Sequence, residues 1–390
     1  MLNQKFIFPL FLVCYEVLVY LSTDMYLPAL PKMREAFTLN TQETQTALTL
    51  WFLGSGVFQW AMGPISDRFG RRPILLASAI IYILTCFTCF YTKNYAVFLF
   101  ARFIQGAMIG PIFVGGYAAI HEKFKDNEAV KILAVMSCIT IAAPTLGPVL
   151  GAMLLKFTSW QGLFLCLGLA ASCTTLGLYL SMPETIKDKC SLAPKALANS
   201  YAKCLRSCKF TMPILTNCCT FAGMIAWLTM GAFIAHAQGL SEHGFGYLQL
   251  IIFGAYILGN RIIPLALKKF TQVQIVSFGL YFGIGFGTLL FSIYMLKHSF
   301  AIAIVTIAGM TFGAGMCGPN LQRIAMDQSS EPMGLKLAIY STLISLSGAL
   351  VSFIVSLTHS TAVNVILAIL ANLIIALTIL NIWKIKCQKS

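Results

Sequence analysis

With 390 residues, 58% of them hydrophobic and only 10% charged, at a mean hydropathy of +0.80, the chain holds more apolar side chains than a soluble core can use. It is expected to be an all-α membrane protein. A net charge of +14 raises nucleic acid as a partner, but the basic residues are spread between apolar runs, which is the pattern of membrane topology and argues for no nucleic acid.

A hydrocarbon core of about 30 Å asks for about 20 mostly apolar residues per helix. Twelve stretches meet that demand, near 6–30, 44–66, 73–92, 95–120, 130–155, 160–182, 211–236, 243–267, 272–296, 299–322, 334–358 and 361–383. The first is too long for a cleavable signal, lacks a small-residue cleavage site and contains Glu16, so it is expected to remain as the first helix. Of the 27 Lys and Arg residues, twenty fall on the side that also holds both termini. The opposite loops hold five (Lys32, Arg34, Lys93, Lys156 and Lys297), and Arg102 and Arg261 lie inside spans. Positive charge is retained inside, so both termini are expected in the cytoplasm.

The first span carries the chemistry. Of thirteen acidic residues, eleven map to loops or span ends, and only Glu16 and Asp24 lie within a span. Each costs a few kcal/mol to insert, so such groups usually face water or a partner and carry function. Eight residues amount to about 80° of rotation and about 12 Å of rise, with Tyr20 midway, so Glu16, Tyr20 and Asp24 share one stripe. Desolvation disfavours the charged form of a carboxyl, whereas a bound cation favours it; proton and cation then compete for one site. The alternative is a pair of acids locked to a structural partner, for which Arg102 is the obvious choice.

Between spans two and three, "GPISDRFGRRP" (63–73) reads as a tight turn in which Asp67 has Arg68, Arg71 and Arg72 within reach. Span four contains Arg102 in "RFIQGAMIG", followed by Gly106, Gly110 and Gly115 at spacings that let helices approach closely. The arginine is permanently charged, so it can tune a nearby acid or anchor carbonyls but cannot carry the proton. Cys86 and Cys89 have CxxC spacing without a second pair or a histidine cluster, and are expected to be filling; no metal site is expected. "APTLGPVLG" (143–151) in span five removes two backbone donors at Pro144 and Pro148 and is slim at Gly147 and Gly151. It should bend the helix and permit a close contact.

Residues 183–210 form the longest polar stretch and divide the chain into an N-terminal six-helix bundle (1–182), this cytoplasmic linker and a C-terminal six-helix bundle (211–390). Within the linker, "LAPKALANSYAKCL" reads either as an amphipathic surface helix or as a plain tether. Six spans plus six is the count that two parallel repeats would give, with a path between them at mid-membrane. In the second half, Met224, Trp227 and Met230 have the soft, aromatic character of a permissive binding wall, although ordinary packing explains each singly. Arg261 sits about 10 Å from its helix end, from which it can snorkel.

Together, "GPISDRFGRRP", "RFIQG" and "APTLGPVLG", with "YEVLVYLSTDM", "VGGYAAI" (114–120), "SW" (159–160) and "MPET" (182–185), resemble the drug/proton antiporter branch of the major facilitator superfamily along essentially the whole chain. The resemblance implies that fold, twelve transmembrane helices in two six-helix halves, and it implies proton-coupled export of lipophilic or cationic drug-like molecules across a bacterial inner membrane. It also implies that Glu16 and Asp24 exchange protons with Arg102 as coupling residue, and that Tyr20, Asp24, Tyr117, Met136 and Thr140 line the pocket. A conformational gate would comprise Gly63, Asp67, Arg68, Gly70, Arg71 and Arg72, with Gly147, Pro148 and Gly151 in helix five. Expected partners are a small-molecule substrate, protons and the bilayer; a proton gradient replaces any cofactor, and the chain is expected to act as a monomer. Thr23 and Arg261 depart from the family pattern.

Other readings keep the fold and change the cargo: an exporter or importer dedicated to one metabolite or siderophore. A membrane enzyme or receptor is disfavoured. No nucleophile, base and orienting acid meet at depth, the five histidines lie near span ends, and no phosphate-binding GxxxxGK[ST] run occurs. "GIGFG" (283–287) falls inside span nine, where glycines mean close packing.

Overall fold

A computed structural model describes residues 6–124, 132, 136, 143, 145–186, 194–329, 331 and 333–387. These residues are helical throughout, with no strand among them. Expected features at Lys5, Lys125, Lys131, Thr140 and Pro144 lie outside the described residues. The chain divides into two compact units, residues 1–194 and 195–390.

The first unit begins with α1 (Ile7–Asp24), a 3-10 turn at Leu27–Ala29 and α2 (Leu30–Ala36). The interruption falls where Pro28 and Pro31 withdraw backbone donors. Then follow α3 (Thr41–Phe69), α4 (Arg71–Tyr91) and α5 (Tyr95–Ala107). Past Pro111 a π-helical turn, Ile112–Tyr117, leads into α6 (Ala118–Lys123). The unit closes with α7 (Thr145–Leu154) and α8 (Trp160–Ser181).

The second unit contains α9 (Pro194–Arg206), α10 (Cys208–Ala237), α11 (Glu242–Ala266) and α12 (Gln272–Lys297). It continues with α13 (Phe300–Gly315), α14 (Gly318–Asp327), α15 (Met333–Ser356) and α16 (Ala362–Cys387).

Polar caps set many of these starts. Asn40 accepts from the Glu43 N–H while Glu43 accepts from the Asn40 N–H, each at 2.8 Å. Asn94, Ser159, Ser241 and Thr271 accept likewise at the heads of α5, α8, α11 and α12.

Ten stretches among the described residues are long and apolar enough to span a bilayer. The second expected span is present as α3, whose 29 residues are amply long but diluted by Gln, Thr and Glu near its start. The fifth is described only over α7. The expected spans 95–120 and 299–322 are present as the single stretches Tyr95–Lys123 and Phe300–Asp327, each with a local irregularity, from Met108 through the π turn in the first and at Met316–Cys317 in the second.

Glycine contacts repeat between the units. A Cβ on Gly54 of α3 would lie 1.9 Å from the Phe103 carbonyl of α5, and one on Gly106 would lie 1.9 Å from the Trp51 carbonyl. In the second unit, α11 and α13 touch the same way, Gly259 against the Phe312 carbonyl and Gly315 against that of Tyr256, both at 2.3 Å. These are the second and fourth spans of each unit, so both units bring the same pair of spans into close backbone contact.

The core of the second unit is α10, buried along nearly its whole length. Its hydroxyls turn back onto the helix, as Thr216 does to the Met212 carbonyl at 2.9 Å, which satisfies them without water. The linker is not a bare tether. Cys204 of α9 is buried with Phe210, Ile214, Cys218, Ala325, Met326 and Ile339, and Lys203 pairs with Glu331 at 2.8 Å. Nearby Lys336, counted among the charges of the inner side, is buried and donates to the Met326 and Ser329 carbonyls at 2.7 and 2.9 Å. It thereby caps the carboxyl end of α14, where free carbonyls favour a cation.

Candidate functional site

Glu16, in the middle of α1, is 0% exposed. The hydroxyl of Tyr117, last residue of the π turn, lies 3.0 Å from both of its carboxylate oxygens. A phenol so placed donates to the carboxylate, and can accept from the acid once protonated. The half-buried Tyr20, one turn along α1, lies within electrostatic reach of Glu16, Asp24 and Tyr117. The stripe read from helical spacing therefore has Tyr117 of the π turn beside it.

Asp24, 4% exposed, ends α1. There α7 comes very close: a Cβ on Gly147 would lie 2.5 Å from the Asp24 Cβ, and one on Gly151 only 1.9 Å from the Met25 carbonyl. The slim face of "APTLGPVLG" thus brings two backbones together beside the acid. Pro148 is buried on the same short helix. Among the described residues no donor bonds to the Asp24 carboxylate, although Arg102 lies close enough for its charge to act on it.

Arg102, 0% exposed, is held by α1 and its own helix. Its Nη1 donates to the Ser22 carbonyl at 2.9 Å and to Gln105 Oε1 at 2.7 Å. Ser22 belongs to the last turn of α1, whose carbonyls lack helical donors, so the cation sits where the helix end favours it. The guanidinium also lies over the Tyr26 ring at 4.6 Å and the Phe164 ring at 5.8 Å. Its Nε and Nη2 have no hydrogen-bond partner among the described residues. Spacing alone did not single out Ser22, Tyr26 or Phe164. Gln105 was legible, being three residues from Arg102 and on the same helix face; it also donates to Cys86 Sγ at 3.4 Å.

Of the remaining expected pocket residues, Met136 is buried and Thr140 lies outside the described residues. Trp227 and Met230 are buried in the second unit, and Trp227 Nε1 donates to Gln249 Oε1 at 2.8 Å, while Met224 is nearly as enclosed.

The turn expected over 63–73 is helix up to Phe69 and again from Arg71, with Gly70 alone between α3 and α4, and along it the three arginines diverge. Asp67 pairs with Arg71 at 2.5 Å, and Arg71 also meets Glu122 at 3.2 Å. Arg68 stacks on Phe69, and Arg72 donates to the Tyr179 carbonyl at 2.7 Å. Glu184, from "MPET", accepts from the Arg71 and Arg72 N–H groups at 3.1 and 3.3 Å, capping α4 from a distant part of the chain. Gly70, at φ +111°, makes the bend, and a Cβ there would lie 2.5 Å from Glu184 Oε2. Gly63 has open space around it.

Two helical units with carboxyls and a guanidinium enclosed within bilayer-length helices define a multi-pass membrane protein built to handle charge inside the membrane. The family model of the Major Facilitator Superfamily matches residues 12–352, and the chain belongs to that superfamily. It is a membrane transporter and not an enzyme. Among curated proteins it is 32% identical over 339 residues to the multidrug transporter MdfA of Edwardsiella piscicida, covering 85% of this chain and 82% of that one. It is 31% identical over 333 residues to the multidrug resistance protein MdtM of Salmonella typhimurium, covering 84% and 80%. A solved D-xylose-proton symporter shares the fold, with a TM-score of 0.79 over 97% of both chains at 15% identity.

Proposed function

We propose that the protein is a proton-coupled antiporter that exports lipophilic or cationic drug-like compounds across a bacterial inner membrane. The observation that carries this reading is the enclosed Glu16 carboxyl, met at both oxygens by Tyr117, in a chain related to multidrug transporters. In this reading Glu16 and Asp24 hold the proton. A cationic cargo entering beside them favours the carboxylates and drives the proton off, and loss of the cargo restores it. Arg102 tunes the site without titrating, and Tyr20, Tyr117 and Met136 offer aromatic and sulfur surface for loosely matched cargo.

The gradient is sufficient without a cofactor. One proton moving down 100 mV releases about 2.3 kcal/mol, and each pH unit adds about 1.4 kcal/mol. Together they sustain a neutral-cargo gradient of a few hundred-fold, on the order of 1.4 kcal/mol per tenfold. In the same reading the arginines of the 63–73 turn, with Gly63 and Gly70, gate the cytoplasmic side. The test is proton release from reconstituted vesicles on cargo addition. Wild type couples the two, and Glu16→Gln and Asp24→Asn each abolish coupling while leaving the thermal unfolding profile unchanged; undiminished coupling in both variants would overturn the assignment.

A further inference from the structure

Arg261 stands apart from the site just described. It lies in α11, three to four residues from an exposed row that also contains Leu258, Leu265 and Lys268. Positions 258, 261 and 265 advance by three and four, so their side chains share one face of α11, and Lys268 and Lys269 follow in the turn after its end. Among the described residues nothing pairs with Arg261, Lys268 or Lys269. Nor does the local sequence offer a counter-charge: residues 243–326 contain no Asp or Glu, and Arg323 is already paired with Asp327 at 2.9 Å.

Beside this basic row is a cleft of about 410 Å³ between the end of α11 and the start of α12. Ile262, Ala266, Phe270, Ile275, Phe278 and Met316 line it. Gln274 adds a polar side chain to the lining. Its carboxamide oxygen is engaged in capping α12 by accepting from the Thr271 N–H at 2.9 Å, which leaves its NH₂ group to donate outward. An apolar slot lined by Ile262, Ala266 and Phe270, residues interleaved in sequence with the exposed Arg261, Lys268 and Lys269, matches a molecule with a hydrocarbon tail and an anionic head.

We propose that this cleft is a binding site for an anionic phospholipid, with one acyl chain between α11 and α12 and the headgroup phosphate held by Arg261, Lys268 and Lys269. An arginine one and a half turns inside its helix end acquires its counter-ion from the bilayer, since the protein supplies none nearby. The site is independent of proton coupling and is read without a transport assay.

The full-length chain, purified in mild detergent, is titrated with phosphatidylglycerol or phosphatidylcholine of identical chains, and bound lipid is counted by native mass spectrometry. Wild type prefers the anionic lipid by about tenfold or more. The variant R261Q/K268Q/K269Q loses that preference, whereas K93Q/K156Q/K297Q, which sheds equal charge elsewhere, keeps it. Ala266→Trp fills the slot, leaves every charge in place and also lowers retention. Three results overturn the proposal: an unchanged preference in the first triple variant, equal displacement of the lipid by inorganic phosphate, or retention by Ala266→Trp at the wild-type level.

Discussion

Tyr117 reaches both carboxylate oxygens of Glu16 at 3.0 Å, across a sequence separation of 101 residues. A hydrogen bond to a charged group contributes about 1.5–3 kcal/mol. Tyr117→Phe removes only the hydroxyl, so the protein should fold normally and lose on the order of tenfold in cargo-driven proton release, since about 1.4 kcal/mol is a factor of ten. Flux through reconstituted vesicles measures this, and wild-type flux in the variant would remove the tyrosine from the mechanism.

Gly151 and Gly63 make opposite demands on an added methyl group. At Gly151 it meets the Met25 carbonyl at 1.9 Å, and at Gly63 it meets nothing within 4 Å. Gly151→Ala should destabilise the protein by about 1–3 kcal/mol or more, because a carbonyl cannot step aside as a side chain can. Gly63→Ala and Gly285→Ala, both open, should be neutral or gain up to ~1 kcal/mol in helix stability. Thermal unfolding in detergent separates the two groups, and equal behaviour would mean that α7 does not press on α1 as described.

Glu184 caps α4 through two N–H groups. Glu184→Ala should cost about 0.5–2 kcal/mol, with Glu184→Gln intermediate because one carbonyl oxygen survives. Gly70→Ala should be worse in the wild-type background than beside Glu184→Ala, since part of its penalty is the contact with that carboxylate. A double-mutant cycle on unfolding midpoints measures the coupling; strict additivity would show that the two residues do not meet.

Docking of α9 should depend on pH at both extremes. The hydrogen bond from Lys203, with help from Ser200, holds the Glu331 carboxyl below its ordinary range, and the same bond to Glu331 raises Lys203 above its own. A lowered acid contributes above its unfolded value of 4.5 and its contribution fades as pH falls through the folded value; a raised lysine contributes below 10.5 and fades as pH rises beyond it. Between those limits the contact is complete. Amide exchange of α9, corrected for intrinsic rates, should slow least at the extremes, and Lys203→Gln should lower protection at neutral pH by about two- to fivefold. A protection profile independent of both pH and the lysine would contradict this.

What the sequence disclosed and what it withheld divide along the range of the interactions. The span starts near 95, 160, 243 and 272 were legible from the apolar runs alone and fall within a residue of the helix starts. So was the Glu16–Tyr20–Asp24 stripe, which depends only on helical spacing. The partners of Arg102 on α1 and α8 and the capping of α4 by Glu184 depend on helices far apart in sequence, and side-chain type alone did not predict them. The arginines after Asp67 illustrate the limit: proximity in sequence suggested one cluster, but only Arg71 keeps Asp67, while Arg68 lies over its neighbour Phe69 and Glu122 and Tyr179 engage Arg71 and Arg72 from far along the chain. The break at Ile112–Tyr117 was likewise hidden, since an apolar run reads the same whether its hydrogen bonds step by four or by five.

That extra step sets Tyr117 in a particular way. A π turn accommodates one residue more than an α-helix over the same length. Were those bonds to return to a four-residue step, every side chain beyond them would swing by about 100° relative to α5. The phenol would then leave the acid without any large displacement of the helix. A slip of one residue is thus a small movement with a large chemical result, coupling the register of one strand of backbone bonds to whether a buried acid has its neighbour.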